Sequence, residues 1–246
     1  MDEMGVVLIS GANKGLGFET ARQMGKMGYK VLLGSRDAEK GKAAAEALRK
    51  EGLDVIAVKL DVTSQQDINA VAQLVNEEFG GVLDVLINNA GLMVEKSWTN
   101  NITSEIKADD VRATYETNVI APFALTKALL PALKKSKAGR IVNVSSVLGS
   151  MTLQATKGSP IYTTKLFAYN SSKAALNMLT IHLAHELRGT KIKVNSAHPG
   201  WAKTDMGGSA APLSVEDGAK TIVELATLPE DGPTGAYIHG SETIPW

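Results

Sequence analysis

Short branched apolar runs alternate along the chain with longer stretches in which apolar residues recur every three or four positions. Val6-Val7-Leu8-Ile9 is the first such run. It ends in Ser10-Gly11, and residues 17–28 then carry Phe18, Ala21, Met24 and Met27 near helical spacing. The alternation continues: strand over 30–33, helix over 38–50, strand over 55–62, helix over 65–79 and strand over 85–89. Strands that read as continuous apolar runs are buried on both faces, as in a parallel sheet covered by helices. Right-handed crossovers then predict a single Rossmann-type, doubly wound α/β domain of about seven parallel strands with helices on both faces.

Beyond Gly91 the pattern predicts a helix over 109–135, in which Pro122 should either bend the helix or start a new turn, and a strand over 140–144. Residues 148–164 are polar and punctuated by Gly and Pro, and read as loop. A long helix over 165–188, a strand over 192–197, a helix over 215–227 opened by Ser214 as N-cap, and a closing strand over 237–239 complete the chain. No internal repeat beyond the βα alternation and no interdomain linker is present, so residues 1–246 form one domain.

Charge narrows the possible partners. The 26 basic and 26 acidic residues balance without blocks of like sign, which argues against nucleic acid and an anionic membrane surface. Cysteine is absent, which excludes disulfides and thiolate metal sites, and the acidic start of the chain lacks a leader or membrane-spanning pattern. A cytoplasmic protein is expected. The four histidines offer only His182 and His185 at a three-residue spacing, which suits surface or interface packing, so no metal site is expected.

Candidate chemistry begins at Ser10-Gly11-Ala12-Asn13-Lys14-Gly15-Leu16-Gly17, between the first strand and the first helix. Gly11 suits the tight turn, Gly15 lets the backbone approach a pyrophosphate, and Gly17 lets the helix pack close to the strand. Free amides and the positive end of the helix dipole then face the phosphates. After the second strand, Gly34-Ser35-Arg36 stands where an acidic residue would select NAD. Arg36 and Lys14 suit a 2′-phosphate, favouring NADP(H). Asp37 either neutralises Arg36 or caps the next helix. About 1–90 then reads as the cofactor half and about 91–246 as the catalytic and substrate half.

Tyr169 and Lys173 are four residues apart on one helical face. An ammonium held against the phenol favours its ionised form, so the pair predicts a tyrosine pKa lowered from about 10. Tyr162 with Lys165 is a rival pair of poorer spacing, and Ser145 rivals Ser146.

With these motifs in order, the chain resembles the short-chain dehydrogenase/reductase family from about Val6 onward. The resemblance rests on the glycine loop, Leu60-Asp61-Val62, Asn88-Asn89-Ala90-Gly91, Asn118, Ser145-Ser146, Tyr169 with Lys173, and Pro199-Gly200 followed by Thr204. The loop Gly-Ala-Asn-Lys-Gly-Leu-Gly, the stretch Gly232-Pro233-Thr234-Gly235 and Ile244-Pro245-Trp246 are most similar to the carbonyl-reductase-like, NADPH-dependent members.

That resemblance implies NADP(H) held by Gly11, Asn13, Lys14, Gly15, Leu16, Gly17, Ser35 and Arg36. Asp61 and Val62 would lie against adenine, with Asn89, Ala90 and Gly91 on the adenosine and ribose side. Pro199, Gly200 and Thr204 would border the nicotinamide, and Asn88 would tie the central strands. Asp61 as a strand-end cap and Asn88-Asn89 as a turn are the plain alternatives. For catalysis it implies Ser146 on the substrate carbonyl, Tyr169 as proton donor, Lys173 serving both tyrosine and cofactor ribose, and Asn118 keeping a water in the proton path.

Residues 147–168 form a longer segment than compact members have, with 156–160 as a surface excursion beside the substrate entrance. Met93, Val94, Trp98, Leu148, Met151, Leu153 and Trp201 are candidate walls for an apolar ketone, aldehyde or quinone, or else core packing. An epimerase or dehydratase on the same scaffold, and a non-catalytic NADP(H)-binding regulator, are the alternatives. Monomer and homo-oligomer both stay open.

Overall fold

The computed structural model describes residues 5–95, 97–98 and 101–246; the acidic start, residues 1–4, lies outside them. Its centre is one eight-stranded sheet of order β3-β2-β1-β4-β5-β6-β7-β8. The strands are β1 (Val6–Ile9), β2 (Lys30–Ser35), β3 (Val55–Lys59), β4 (Val85–Asn88), β5 (Arg140–Val144), β6 (Lys193–Ala197), β7 (Tyr237–His239) and β8 (Glu242–Thr243). Pairing is parallel throughout except for β8, a two-residue antiparallel addition beyond the seven expected strands.

Alternate strand residues feed two cores. Val7, Ile9, Val31 and Leu33 point to the face covered by α1 (Gly15–Lys26), α2 (Ala38–Lys50) and α8 (Val215–Ala226), where Met24, Leu48 and Ile222 are fully buried. Leu8, Leu32, Leu86 and Ile141 point to the face covered by α3 (Gln65–Glu78), α5 (Ala121–Lys135) and α7 (Phe167–Glu186), against Val71, Leu125 and Leu183. Each such side chain contributes about 1.5–3 kcal/mol on burial, which explains why strand and helix positions were so legible as apolar periodicity.

Two expectations need correction. The helix expected over 109–135 is two helices, α4 (Ala108–Tyr115) and α5, joined by one widened π turn, Glu116–Ile120. Pro122 has no N–H for the carbonyl four residues back, so the ladder could not run through regularly. The loop expected over 148–164 contains α6 (Met151–Ala155), too short to leave a periodic signature. Ser150 caps it by accepting from Leu153 N, and long-range bonds hold it: Ser150 Oγ donates to Pro245 O at 2.5 Å and Thr152 N to Trp246 O at 2.9 Å. Ser214 caps α8 as its sequence suggested, accepting from Asp217 N at 2.9 Å.

A buried polar chain crosses the sheet centre. Asn88, Asn143 and Ser196 are neighbours on β4, β5 and β6. Asn88 Nδ2 donates to Thr126 Oγ1 (3.1 Å) and Asn143 Oδ1 (2.8 Å), Asn143 Nδ2 donates to Thr180 Oγ1 (2.8 Å), and Thr180 shares a 2.8 Å bond with Ser196. Asn88 therefore ties the central strands to α5 and, through Asn143, to α7. Removing its amide strands buried partners, so Asn88→Ala should lower stability by about 3 kcal/mol, read from the denaturation midpoint at constant m-value.

Candidate active site

Because the sheet is parallel, β1 to β6 end on one side, and their following loops line one cleft of about 960 Å³. It opens where the strand order reverses between β1 and β4, the switch point at which α/β sheets bind ligands. Among the described residues no helix is long and apolar enough to cross a membrane, and no cluster of three or more acidic or histidine side chains could hold a metal.

One end of the cleft is the turn from β1 into α1. A Cβ on Gly17 would fall 2.4 Å from Asn89 Nδ2 and 2.6 Å from Gly11 O, so only glycine permits this close approach. Asn89 Nδ2 donates to Ser10 O (2.9 Å) and Gly11 O (3.1 Å), and Ser10 Oγ accepts from Asn89 N and Ala90 N. The loop after β4 thus fixes the glycine turn. Gly15 opens α1 at φ +58° with its missing side chain leaving the cleft clear. Asn13, Lys14, Leu16, Asp61, Val62, Ala90 and Gly91 also line this half.

Arg36 lies exposed at the cleft mouth, and Asp37 does not neutralise it. Asp37 instead caps α2, accepting from Lys40 N and Glu39 N, bonds that hold its carboxyl below its ordinary range. Ser35 departs from the expected set: it is buried off the cleft, and its hydroxyl donates to Asp37 O at 2.8 Å. Asp61 serves both of its readings. It lines the cleft and also closes the strand end, accepting from Thr63 N and Oγ1, which holds its carboxyl low. Lys14 pairs with Asp205 at 2.5 Å, both side chains being largely exposed.

At the other end, Ser146 follows β5 and meets Tyr169 and Lys173 from α7. The Tyr169 hydroxyl faces the Ser146 side chain, which favours the ionised phenol. Lys173 Nζ donates to Val144 O at 2.8 Å and stands 5.6 Å from the Tyr169 ring centroid. Burial dominates the electrostatics here. It pushes the Tyr169 phenol up to about 12, an effect partly offset by Ser146 and reinforced by the negative charge of Glu95. It also pushes the Lys173 ammonium down to about 8. The expectation that Lys173 lowers the phenol pKa does not describe this site: the ammonium is engaged by the Val144 carbonyl and is itself destabilised by desolvation.

The rivals fall elsewhere. Ser145 is buried toward the Tyr237 hydroxyl, which Asn177 also faces. Lys165 lies 4.9 Å over the Tyr162 ring and donates to Gln154, away from the cleft lining. Asn118 is buried behind the cleft, with its side chain fully engaged: Oδ1 accepts from Leu92 N (2.7 Å), and Nδ2 donates to Leu92 O (2.8 Å) and Ser172 Oγ (2.9 Å). Its carbonyl is the one that lacks a donor at Pro122.

Pro199, Gly200 and Thr204 line the cleft with Trp98, Leu148 and Trp201, the two indole rings 5.9 Å apart. His198 is also there as a neutral ring, pushed down to about 3 by burial and by His239. Four expected walls are absent from the lining. Met93 and Leu153 pack behind it against Leu148, Ile161, Leu166 and Tyr169; Met151 is 63% exposed; Val94 lies off the cleft. In their place Pro160, Ile161, Thr164 and Met206 contribute.

Two further contributors also escaped the sequence reading. Tyr237 donates to the Ser146 carbonyl and stacks on Trp246 with centroids 5.4 Å apart. Glu95 is buried against the start of α7. The signals available were a lone carboxylate in the apolar stretch Leu92-Met93-Val94-Glu95 and a phenol inside a short apolar strand.

The short chain dehydrogenase family model matches residues 5–212. Carbonyl reductase [NADPH] 1 of Mus musculus is 34% identical over 279 residues, covering 98% of each chain. A short-chain dehydrogenase of Penicillium roqueforti is 38% identical over 229 residues, covering 90% of this chain and 88% of its own. Among solved structures, the NADPH-bound carbonyl reductase from chicken fatty liver superposes with a TM-score of 0.83 at 29% identity, covering 98% of each chain.

Proposed function

The chain belongs to the short chain dehydrogenase family, and from that premise we propose that it is an NADPH-dependent oxidoreductase that reduces the carbonyl group of a small apolar ketone, aldehyde or quinone. The observation that carries this reading is the convergence of Ser146, Tyr169 and Lys173, its ammonium 5.6 Å from the tyrosine ring centroid, at the far end of the cleft that begins at the glycine turn.

The residues present fit the cofactor: a turn clear of side chains at Gly15, a helix N-terminus behind it, and two cations, Lys14 and Arg36, at the mouth. When bound, a reduced nicotinamide supplies the hydride for which proteins have no side-chain donor. The chain's own groups do the rest. Ser146 hydrogen-bonds the substrate oxygen where negative charge develops, and Tyr169 delivers the proton to it. A phenol near 12 is fully proton-loaded at neutral pH, which suits donation. Lys173 adds positive charge beside the phenol and would hold the ribose of the cofactor. The Asn118 carbonyl holds the water that reloads it, while the Asn118 side chain fixes Leu92. Trp98, Leu148, Ile161 and Trp201 exclude water and favour an apolar substrate.

The test is cofactor oxidation against ketones, aldehydes and quinones. Binding of NADPH with no turnover across such a panel would favour the regulatory reading. Arg36→Ala should raise the KM for NADPH by about 10-fold to 100-fold, the worth of a charged hydrogen-bond pair, and leave NADH kinetics unchanged. Equal efficiency of the unaltered protein with both cofactors would overturn the NADP(H) assignment.

A further inference from the structure

The first turn of α7 carries the Tyr169 backbone, yet its N-cap position, Leu166, offers no side-chain acceptor, and the turn has no acidic residue of its own. The missing acceptor comes from 73 positions away in sequence. Glu95, only 9% exposed, accepts from Ala168 N at 2.8 Å and from Tyr169 N at 3.3 Å through one oxygen, Oε1. Its other oxygen, Oε2, is buried with no partner. A buried carboxylate with one oxygen unengaged is costly unless its charge is used. Three residues upstream, Leu92 is clamped by Asn118 through both its N–H and its carbonyl. The segment bearing Glu95 is thus anchored at one end to the π turn and at the other to α7.

We propose that Glu95 is a positioning residue for Tyr169: its carboxylate holds the tyrosine-bearing turn of α7 against Ser146 and sets a negative charge beside the phenol. This inference rests on the reading of Tyr169 as proton donor. The groups facing Tyr169 are few. From α7 itself there is the Lys173 ammonium, from the turn after β5 the Ser146 hydroxyl, from β7 the Tyr237 phenol, and from the segment after β4 Glu95. Among these described groups Glu95 is the one acidic side chain, and burial limits the screening of its field.

Two substitutions separate charge from capping. Glu95→Gln keeps an oxygen for the two N–H groups and removes the charge; Glu95→Asp keeps the charge and withdraws the cap. Each is measured as the full-length protein by the pH profile of kcat/KM for alcohol oxidation, and by ultraviolet difference titration of the phenolates with Tyr169→Phe as the subtraction. In Glu95→Gln the Tyr169 titration and the alkaline rise in oxidation should both shift to lower pH. In Glu95→Asp the profile should hold its position while kcat falls with KM little changed. A Glu95→Gln protein whose titration and profile coincide with those of the unaltered chain overturns the proposal, even if it is less stable. Turnover retained by Tyr169→Phe would instead overturn the underlying reading of the proton donor.

Discussion

Tyr169→Phe should lower NADPH-dependent carbonyl reduction by about 100-fold to 10,000-fold while the dissociation constant for NADPH stays within about two-fold, the range being that of a lost general acid. The ring is 7% exposed and packs with Leu148, Ile161 and Leu166, so phenylalanine fills the same space. Only the hydroxyl that faces Ser146 disappears. Steady-state oxidation of NADPH gives the first quantity, and titration of the fluorescence of the bound cofactor gives the second. Retained turnover would remove Tyr169 from the mechanism. A joint loss of binding and turnover would mean that the hydroxyl also holds the cofactor.

Lys173→Met should behave differently, losing turnover and weakening NADPH binding while making the cofactor-free protein more heat-stable. The ammonium is 4% exposed, has one carbonyl partner and no carboxylate, and burial pushes it from 10.5 down to about 8. By linkage that displacement corresponds to about 3 kcal/mol of destabilisation, of which the lost bond to Val144 O offsets about 1 kcal/mol in the variant. The sign follows from proton binding. Below about pH 8 the lysine is charged in both folded and unfolded chains and the penalty is complete. Between about 8 and 10.5 the unfolded chain holds more protons, so stability of the unaltered protein rises with pH across that window. The variant should lack this rise. Thermal melts from neutral to alkaline pH check it; a Tm for Lys173→Met below that of the parent at pH 7 would contradict the buried-charge account. Adding NADPH should reverse the order of stability, because the unaltered chain then gains binding energy that the variant has lost.

The two expectations also mark how far residue patterns reach. Val6-Val7-Leu8-Ile9 and the runs like it disclosed the sheet because burial on both faces demands apolar residues at every position. The glycine turn was legible because the approach of Asn89 to Gly17 forbids any side chain. Tyr169, Lys173 and Ser146 were found by motif and order and converge on one cleft. What motif could not reveal was polarity of environment: whether the phenol is lowered by its lysine or raised by burial depends on Val144 O and Glu95, which are far from it in sequence. The substrate walls were the weakest reading. Met93 lies on a loop and Leu153 on the single five-residue helix α6, and neither has a period long enough to tell which of them shares a side with Leu148. α6 escaped for a related reason, since bonds to the residues at 245 and 246 hold it and its own five residues carry no periodicity.

The polar chain from Thr126 through Asn88, Asn143 and Thr180 to Ser196 bears on how the molecule breathes. Each link is buried and joins a different strand or helix, so no single element among β4, β5, β6, α5 and α7 can separate without stranding a partner in its neighbour. Amide protons along the middle of the sheet should therefore exchange with solvent only through whole-molecule opening. Those of the cleft loops, and of α6, can exchange through local excursions at lower free energy. The slowest-exchanging backbone then runs directly beneath Ser146 and Tyr169, giving mobile substrate walls an unmoving floor.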